Sequence, residues 1–177
     1  MKKILTLAIM FIALFSLFGC VDTIRTYDGK KISKISYESV DYNGGYTEIF
    51  LIDFEDNKVW KKATFPDYTA EQKQNNQFSL KNEFTDEEEQ TFINEIYSYG
   101  LFDIKQNYYQ SGIVDGGGWT LEITYANGST KVSKGSNSKP TKVFDKCAIP
   151  FYKICKEQVL GQIPSSYFSS DTDDSDK

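Results

Sequence analysis

The sequence predicts an α+β domain, with an antiparallel sheet of about five to six strands (a meander plus a hairpin) and two main helices packed on one face. Three observations carry this expectation. Segments rich in β-branched and aromatic residues are separated by short Asn/Asp/Gly turns. Two later segments repeat apolar residues at helical spacing. The elements run in the order βββ-(β)-α-ββ-α, whose hairpin connections favour antiparallel pairing with the helices on one side.

The first segment is not part of that domain. Lys2 and Lys3 precede an uncharged apolar run from Ile4 to Phe18. Its length suits the core of an export signal and is short of the roughly 20 residues that a membrane span needs. The run ends in Leu17-Phe18-Gly19-Cys20. This stretch resembles the lipobox of bacterial lipoproteins, with Leu three residues before the cysteine and Gly one before it; Phe18 is bulkier than the small residue usual between them. The resemblance implies that residues 1–19 are a cleaved signal peptide and that Cys20 receives a diacylglyceryl group. The protein would then be held on the extracytoplasmic face of the cell membrane by lipid, with the membrane as its first partner. Loss of Lys2 and Lys3 would take the net charge from −5 to −7.

Residues 20–30 read as a polar, lipidated tether and 31–163 as a single domain. Within it, strand one spans roughly 32–42 and ends at a turn signal, Asn43-Gly44-Gly45. Strand two, about 46–55, is apolar on both faces (Ile49 and Leu51 against Phe50, Ile52 and Phe54), which suits a central strand covered on both sides. Asp56-Asn57 turns the chain into strand three, about 58–65, which Pro66 ends. Residues 66–77 read as a polar loop and 78–84 as a short edge strand. Thr85 and Glu88 then form a capping-box pattern, and the acidic run Asp86 to Glu89 complements a helix N-terminus. Phe92, Ile93, Ile96 and Tyr97 supply the apolar stripe, and Gly100 stands where such a helix ends.

The clearest hairpin follows. Trp119, Leu121, Ile123 and Tyr125 alternate with Thr120, Glu122 and Thr124, and Asn127-Gly128 is the dipeptide of a type I′ turn. The alternation places Trp119 in the core. A second helix is expected over about 141–160, with a kink or restart at Pro150. On one continuous helix Cys147 and Cys155 would stand about 12 Å apart, beyond the roughly 4.4–6.8 Å of a disulfide. Unless Pro150 breaks that helix they are expected as buried free thiols. Residues 164–177 are small and acidic and read as a disordered tail.

Composition excludes several function classes. The net charge of −5 argues against nucleic acid as a partner. The sequence contains no histidine, which removes the usual general base and the commonest metal ligand. No cofactor and no metal are expected. The glycine run Gly116-Gly117-Gly118 fits neither phosphate-binding pattern, since it enters a strand and does not open a helix. Carboxylate pairs, Asp115 with Glu122 or Asp103, leave one catalytic alternative, an envelope enzyme acting on glycans. The favoured expectation is a non-catalytic binding or interaction domain, with an envelope protein or polymer as its partner. Its candidate binding surface comprises Tyr108, Tyr109, Asp115 and Asn137, with both tyrosines expected in an exposed loop.

A second resemblance rests on Trp119, Leu121, Ile123, Tyr125, Gly128, Gly135, Asn137 and Pro140. A W-x-L-x-I-x-Y hairpin followed by G-x-N-x-x-P is similar to a group of uncharacterised bacterial lipoproteins, and the upstream GLFDIKQNYYQSG fits the same layout. It implies the same fold and location and names no reaction.

Overall fold

A computed structural model describes residues 26–27, 29–41, 45–64, 77–112 and 116–169. The strands are β1 (Thr26–Tyr27), β2 (Lys30–Asp41), β3 (Tyr46–Asp53), β4 (Lys58–Thr64), β5 (Ser79–Glu83), β6 (Asn107–Tyr109), β7 (Gly117–Tyr125) and β8 (Thr130–Ser136). The helices are α1 (Asp86–Ser98), α2 (Thr141–Cys155) and a short α3 (Ser165–Ser169), with a 3₁₀ turn at Leu101–Asp103. The fold is α+β. One sheet runs in the order β5-β4-β3-β2-β7-β8-β6, with β1 paired beside β2.

Alternation and register together give the sheet one covered face. Ile35 pairs with Ile52 on one side and Ile123 on the other, and Tyr37 likewise with Phe50 and Leu121. All of these side chains are buried. The same rows carry Val59 on β4 and Trp119 and Tyr125 on β7, and both long helices pack against them. Phe144 of α2 meets Trp119 edge-on at 4.9 Å and Tyr37 at 6.0 Å. Phe92 of α1 meets Phe151 of α2 at 5.1 Å, which closes the layer between the helices.

The sheet departs from expectation in strand number and direction. Seven strands lie along its path, not five or six, and β6 pairs parallel to β8, so the sheet is mixed. β6 has three residues and no alternation, so no local pattern marks it, and it joins the edge through a partner strand beyond the next one in sequence. The coverage of β3 also differs. The centre of the sheet is β2, and β3 is covered on one side only. Phe50 and Ile52 are buried, whereas Ile49 and Leu51 are half-buried on the other face, where Leu51 lies across from Trp60. Cross-strand apolar contact explains the second apolar row without a second helix layer.

The local signals at α1 appear as written. The Glu88 amide donates to Thr85 Oγ1 at 3.2 Å, and the Thr85 amide donates to Glu88 Oε2 at 2.8 Å, completing the capping box. Gly100 follows the helix in the left-handed region, φ +78°. The Asn127-Gly128 turn is different from the type I′ form. Gly128 alone of the pair has positive φ, +80°. The Gly128 amide donates to the Tyr125 carbonyl, and Asn127 Oδ1 accepts from both the amide and the hydroxyl of Ser129. A side-chain acceptor thus closes the loop in place of a left-handed asparagine.

Helix α2 passes through buried Pro150 as one element without a restart, and it ends at Cys155, five residues short of the expected 160. Lys156 terminates it at φ +55°, and buried Leu160 returns the chain to the core. The tail expected to be disordered from 164 begins with α3, whose Tyr167 and Phe168 pack edge-on against Tyr152. The signal peptide, Cys20, residues 42–44 of the first turn, 65–76 of the polar loop and 170–177 of the tail lie outside the described residues.

Two substitutions gauge these terms. Phe151→Ala is expected to destabilise the fold by about 3–5 kcal/mol through loss of the interhelical aromatic contact and the cavity left behind. Thr85→Ala, which removes only a cap, is expected to cost about 1 kcal/mol. Denaturant titration of both variants measures the difference.

Candidate functional site

The glycine run sits where β7 begins, at one end of the sheet. Gly117 pairs with Asp41, and Gly118 lies between Val40 on β2 and Ser136 on β8. Backbone approach is close here. A Cβ on Gly117 would stand 2.9 Å from the Val40 carbonyl oxygen, and one on Gly116 would fall 1.5 Å from Asn137 Oδ1. The Asn137 amide donates to the Gly117 carbonyl at 3.0 Å, and Asn137 itself adopts φ +56°. The glycines therefore let the strand start lie directly against the turn that follows β8.

Trp119 is the next large side chain and only 7% exposed, as its alternation predicts. Its indole N–H donates to the Ser138 carbonyl at 2.8 Å, so the one polar atom of the ring is satisfied. Gly135 makes room for the ring, because a Cβ there would lie 2.3 Å from both the indole nitrogen and the Ser138 oxygen. Tyr108, across Gly135 in the same row, packs on the indole at 5.7 Å and accepts a hydrogen bond from the Lys105 amide through its hydroxyl.

Two shallow depressions flank this cluster. One, of about 440 Å³, lies on the helix side and is lined by Tyr37, Gln110, Gly117, Trp119, Asn137 and Lys139 among others. The other, of about 300 Å³, is lined by Val40, Asn107, Tyr109, Gly118, Thr120, Lys134 and Ser136, with contributions from Tyr108, Trp119 and Gly135. Neither lining contains a carboxylate.

Of the sequence-predicted surface, Tyr108 and Tyr109 border the second depression and Asn137 the first, with Trp119 in both linings, and Asp115 lies outside the described residues. The two tyrosines differ, however. Both lie on β6 and not in a loop. Tyr109 is 75% exposed, whereas Tyr108 turns inward against the indole and is half-buried. Adjacent residues of a strand point to opposite faces, so only one of a Tyr-Tyr pair can reach solvent on a one-sided sheet. Sequence reasoning missed Gly118, Thr120, Lys134 and Lys139. Alternation within β8 already groups Lys134 with Ser136, but nothing local reveals that β6 pairs beside them.

The other chemistry-bearing groups are placed elsewhere. Glu122, in register with Ser36 and Val132, belongs to the open face, while Asp103 lies in the 3₁₀ turn on the helix side. Both expected carboxylate pairs include Asp115, which lies outside the described residues. Asp86 to Glu89 form the first turn of α1, as the capping pattern predicts. Among the described residues no group of three His, Cys, Asp or Glu side chains could hold a metal ion. Cys147 and Cys155 are buried free thiols. Burial pushes the Cys147 thiol up to about 12, with the Glu95 charge adding to the rise, and burial raises Cys155 as well. Near the end of α2, Glu157 accepts from Lys61 and Lys81, and Lys61 also pairs with Glu48 at 2.6 Å. This network clamps β3, β4 and β5 to the end of α2.

No family model, curated protein or solved structure matches this chain. The fold and the site stand on their own geometry.

Gly135→Ala is expected to destabilise the protein by about 1–3 kcal/mol, because the new methyl overlaps the indole, and to weaken the near-ultraviolet circular dichroism of Trp119. The thiols supply a second measurement. Their neutral form is favoured in the fold, so their contribution is complete below the unfolded thiol value near 9 and is lost as pH rises towards 12. Native protein is therefore expected to leave a thiol reagent unreacted at these two positions at pH 8, with both reacting once denaturant is added.

Proposed function

We propose that this chain is a lipid-anchored bacterial envelope protein whose domain binds a partner outside the cell membrane without catalysing a reaction. The observation that carries the anchoring is Leu17-Phe18-Gly19-Cys20 at the end of the Ile4–Phe18 apolar run. A basic start, an apolar run of this length and a cysteine behind a glycine form the pattern that export and lipid attachment require. Two acyl chains on Cys20, each buried CH₂ contributing about 0.8 kcal/mol, would anchor the protein stably.

Binding is favoured as the activity by two features. The sequence lacks histidine, and the two cysteines outside the lipobox are buried with their thiols held neutral. Meanwhile an exposed tyrosine, two lysines and several hydroxyl and amide groups border adjacent depressions at one end of the sheet. Such a mixture recognises a ligand by stacking and hydrogen bonding.

The deciding experiment compares the wild type with Cys20→Ala in bacterial cells. The wild type is expected to incorporate labelled fatty acid and to fractionate with membranes. Cys20→Ala is expected to lose the label and to leave the membrane fraction once its signal is processed. An unlabelled Cys20→Ala chain that stayed membrane-bound after processing would refute the anchor.

A further inference from the structure

We propose that the notch on the open face of the sheet, walled by Tyr109 and Lys134 and floored by Gly118, binds a negatively charged glycan. The floor is backbone, because Gly118 lies between Val40 and Ser136 with no side chain of its own. Alternation places Val40, Thr120, Lys134 and Ser136 on this same face, and the parallel register sets Tyr109 beside Ser136 and Asn107 beside Lys134.

Each wall has a chemical preference. Tyr109 is 75% exposed, the largest exposure of any large apolar or aromatic side chain among the described residues. An aromatic ring held on an edge strand offers a flat apolar face beside a polar floor, which suits the amphipathic face of a sugar ring. Thr120, Ser136 and Asn107 supply hydroxyl and amide groups for sugar hydroxyls. Lys134 is exposed, and its ammonium makes no ion pair among the described residues. A lone cation in a lining without carboxylates stands out on a chain of net charge −5. The nearest carboxylates on this face by register are Glu122, diagonal to Lys134 on β7, and Glu38, across from Thr120 on β2. They confine the positive charge to one point. The fitting ligand is therefore a sugar with spaced negative charges, not a dense polyanion.

Position sets the notch apart from the anchor's own lipid, and this step rests on the anchoring proposed above. The chain enters the sheet where Thr26 pairs with Lys31, while the notch lies at Val40, nine residues further along β2. At the usual strand rise that is roughly 30 Å. Cys20 is six residues before Thr26, a reach of at most roughly 22 Å. That reach falls short of the distance to Val40, so the tether cannot carry Cys20 to the notch, which is left to a ligand other than the anchor's own lipid.

The test is calorimetric titration of the full-length protein in detergent with dextran, carboxymethyl-dextran and dextran phosphate, three polymers that share a sugar backbone and differ in charge. Saturable binding of at least one charged dextran is expected, at least about tenfold tighter than plain dextran, the loss expected for a hydrogen bond to a charged group. Lys134→Gln is expected to remove that preference, and Tyr109→Ala to weaken binding to all three polymers by a similar factor. Lys62→Gln, on the same face but on β4, is expected to change nothing. Both notch residues are exposed, and unchanged circular dichroism confirms folding. Binding of neither charged dextran, equal binding of plain dextran, or full binding by both notch variants would overturn the proposal. So would competition by phosphatidylglycerol vesicles, which would assign the notch to a headgroup. The same titration on Cys20→Ala separates the readings, since binding in detergent does not depend on the anchor.

Discussion

Everything in this fold is registered on β2. That strand runs for twelve residues through the middle of the sheet and joins β3, its neighbour in sequence, to β7, which lies some 80 residues further on. The pairs Ile35–Ile123 and Tyr37–Leu121 close that long loop, and their burial offsets the chain entropy that closure costs. A register shift between Ile32 and Lys34 keeps both Ile32 and Ile35 on the covered face, so the strand stays apolar towards the helices over its whole length. Phe144 then docks α2 on Tyr37 of β2 and Trp119 of β7, across the pairing that closes the loop.

A sheet covered on one side must put its remaining alternate residues in water or against each other. Here Ile49, Leu51 and Trp60 support one another across β3 and β4, and Leu80, 48% exposed, continues the row onto the edge strand β5. Towards β7 and β8 the same face becomes polar, with Ser36, Glu122, Thr120 and Lys134. The glycine end follows from the same geometry. Gly117 and Gly135 are required because backbone and indole occupy the space of a side chain, and the missing side chain at Gly118 leaves a hollow between its neighbours. Close packing on one face of the sheet and a shallow notch on the other thus have a common origin.

Much of this architecture was legible in the chain. The capping box at Thr85, the glycine stop at Gly100, the core face of β7 and the free thiols all rest on interactions within a few residues, and they appear where the pattern placed them. Other features depended on partners remote in sequence. The second apolar row of β3 suggested burial on both sides, yet Trp60 and not a helix meets it. Asn127-Gly128 suggested a type I′ turn, yet Ser129 offers Asn127 Oδ1 a better local arrangement. Of the candidate surface, Tyr108 and Tyr109 lie on β6 and not in a loop, Asn137 borders the other face of the sheet, and the packing of Tyr108 on the indole and the place of Lys134 beside Asn107 were not foreseen.

By itself, the sequence determined the α+β class, the position of the long helices and the inward face of each alternating strand, because helix caps and side-chain periodicity act over one or two turns of chain. Only the tertiary structure decided that Tyr109 faces solvent while Tyr108 covers Trp119, and that Lys134 stands beside a glycine floor. Those outcomes depend on β6 pairing parallel to β8, about 27 residues away, and parallel pairing of so short a strand is selected by the packing around it, for which no local periodicity exists.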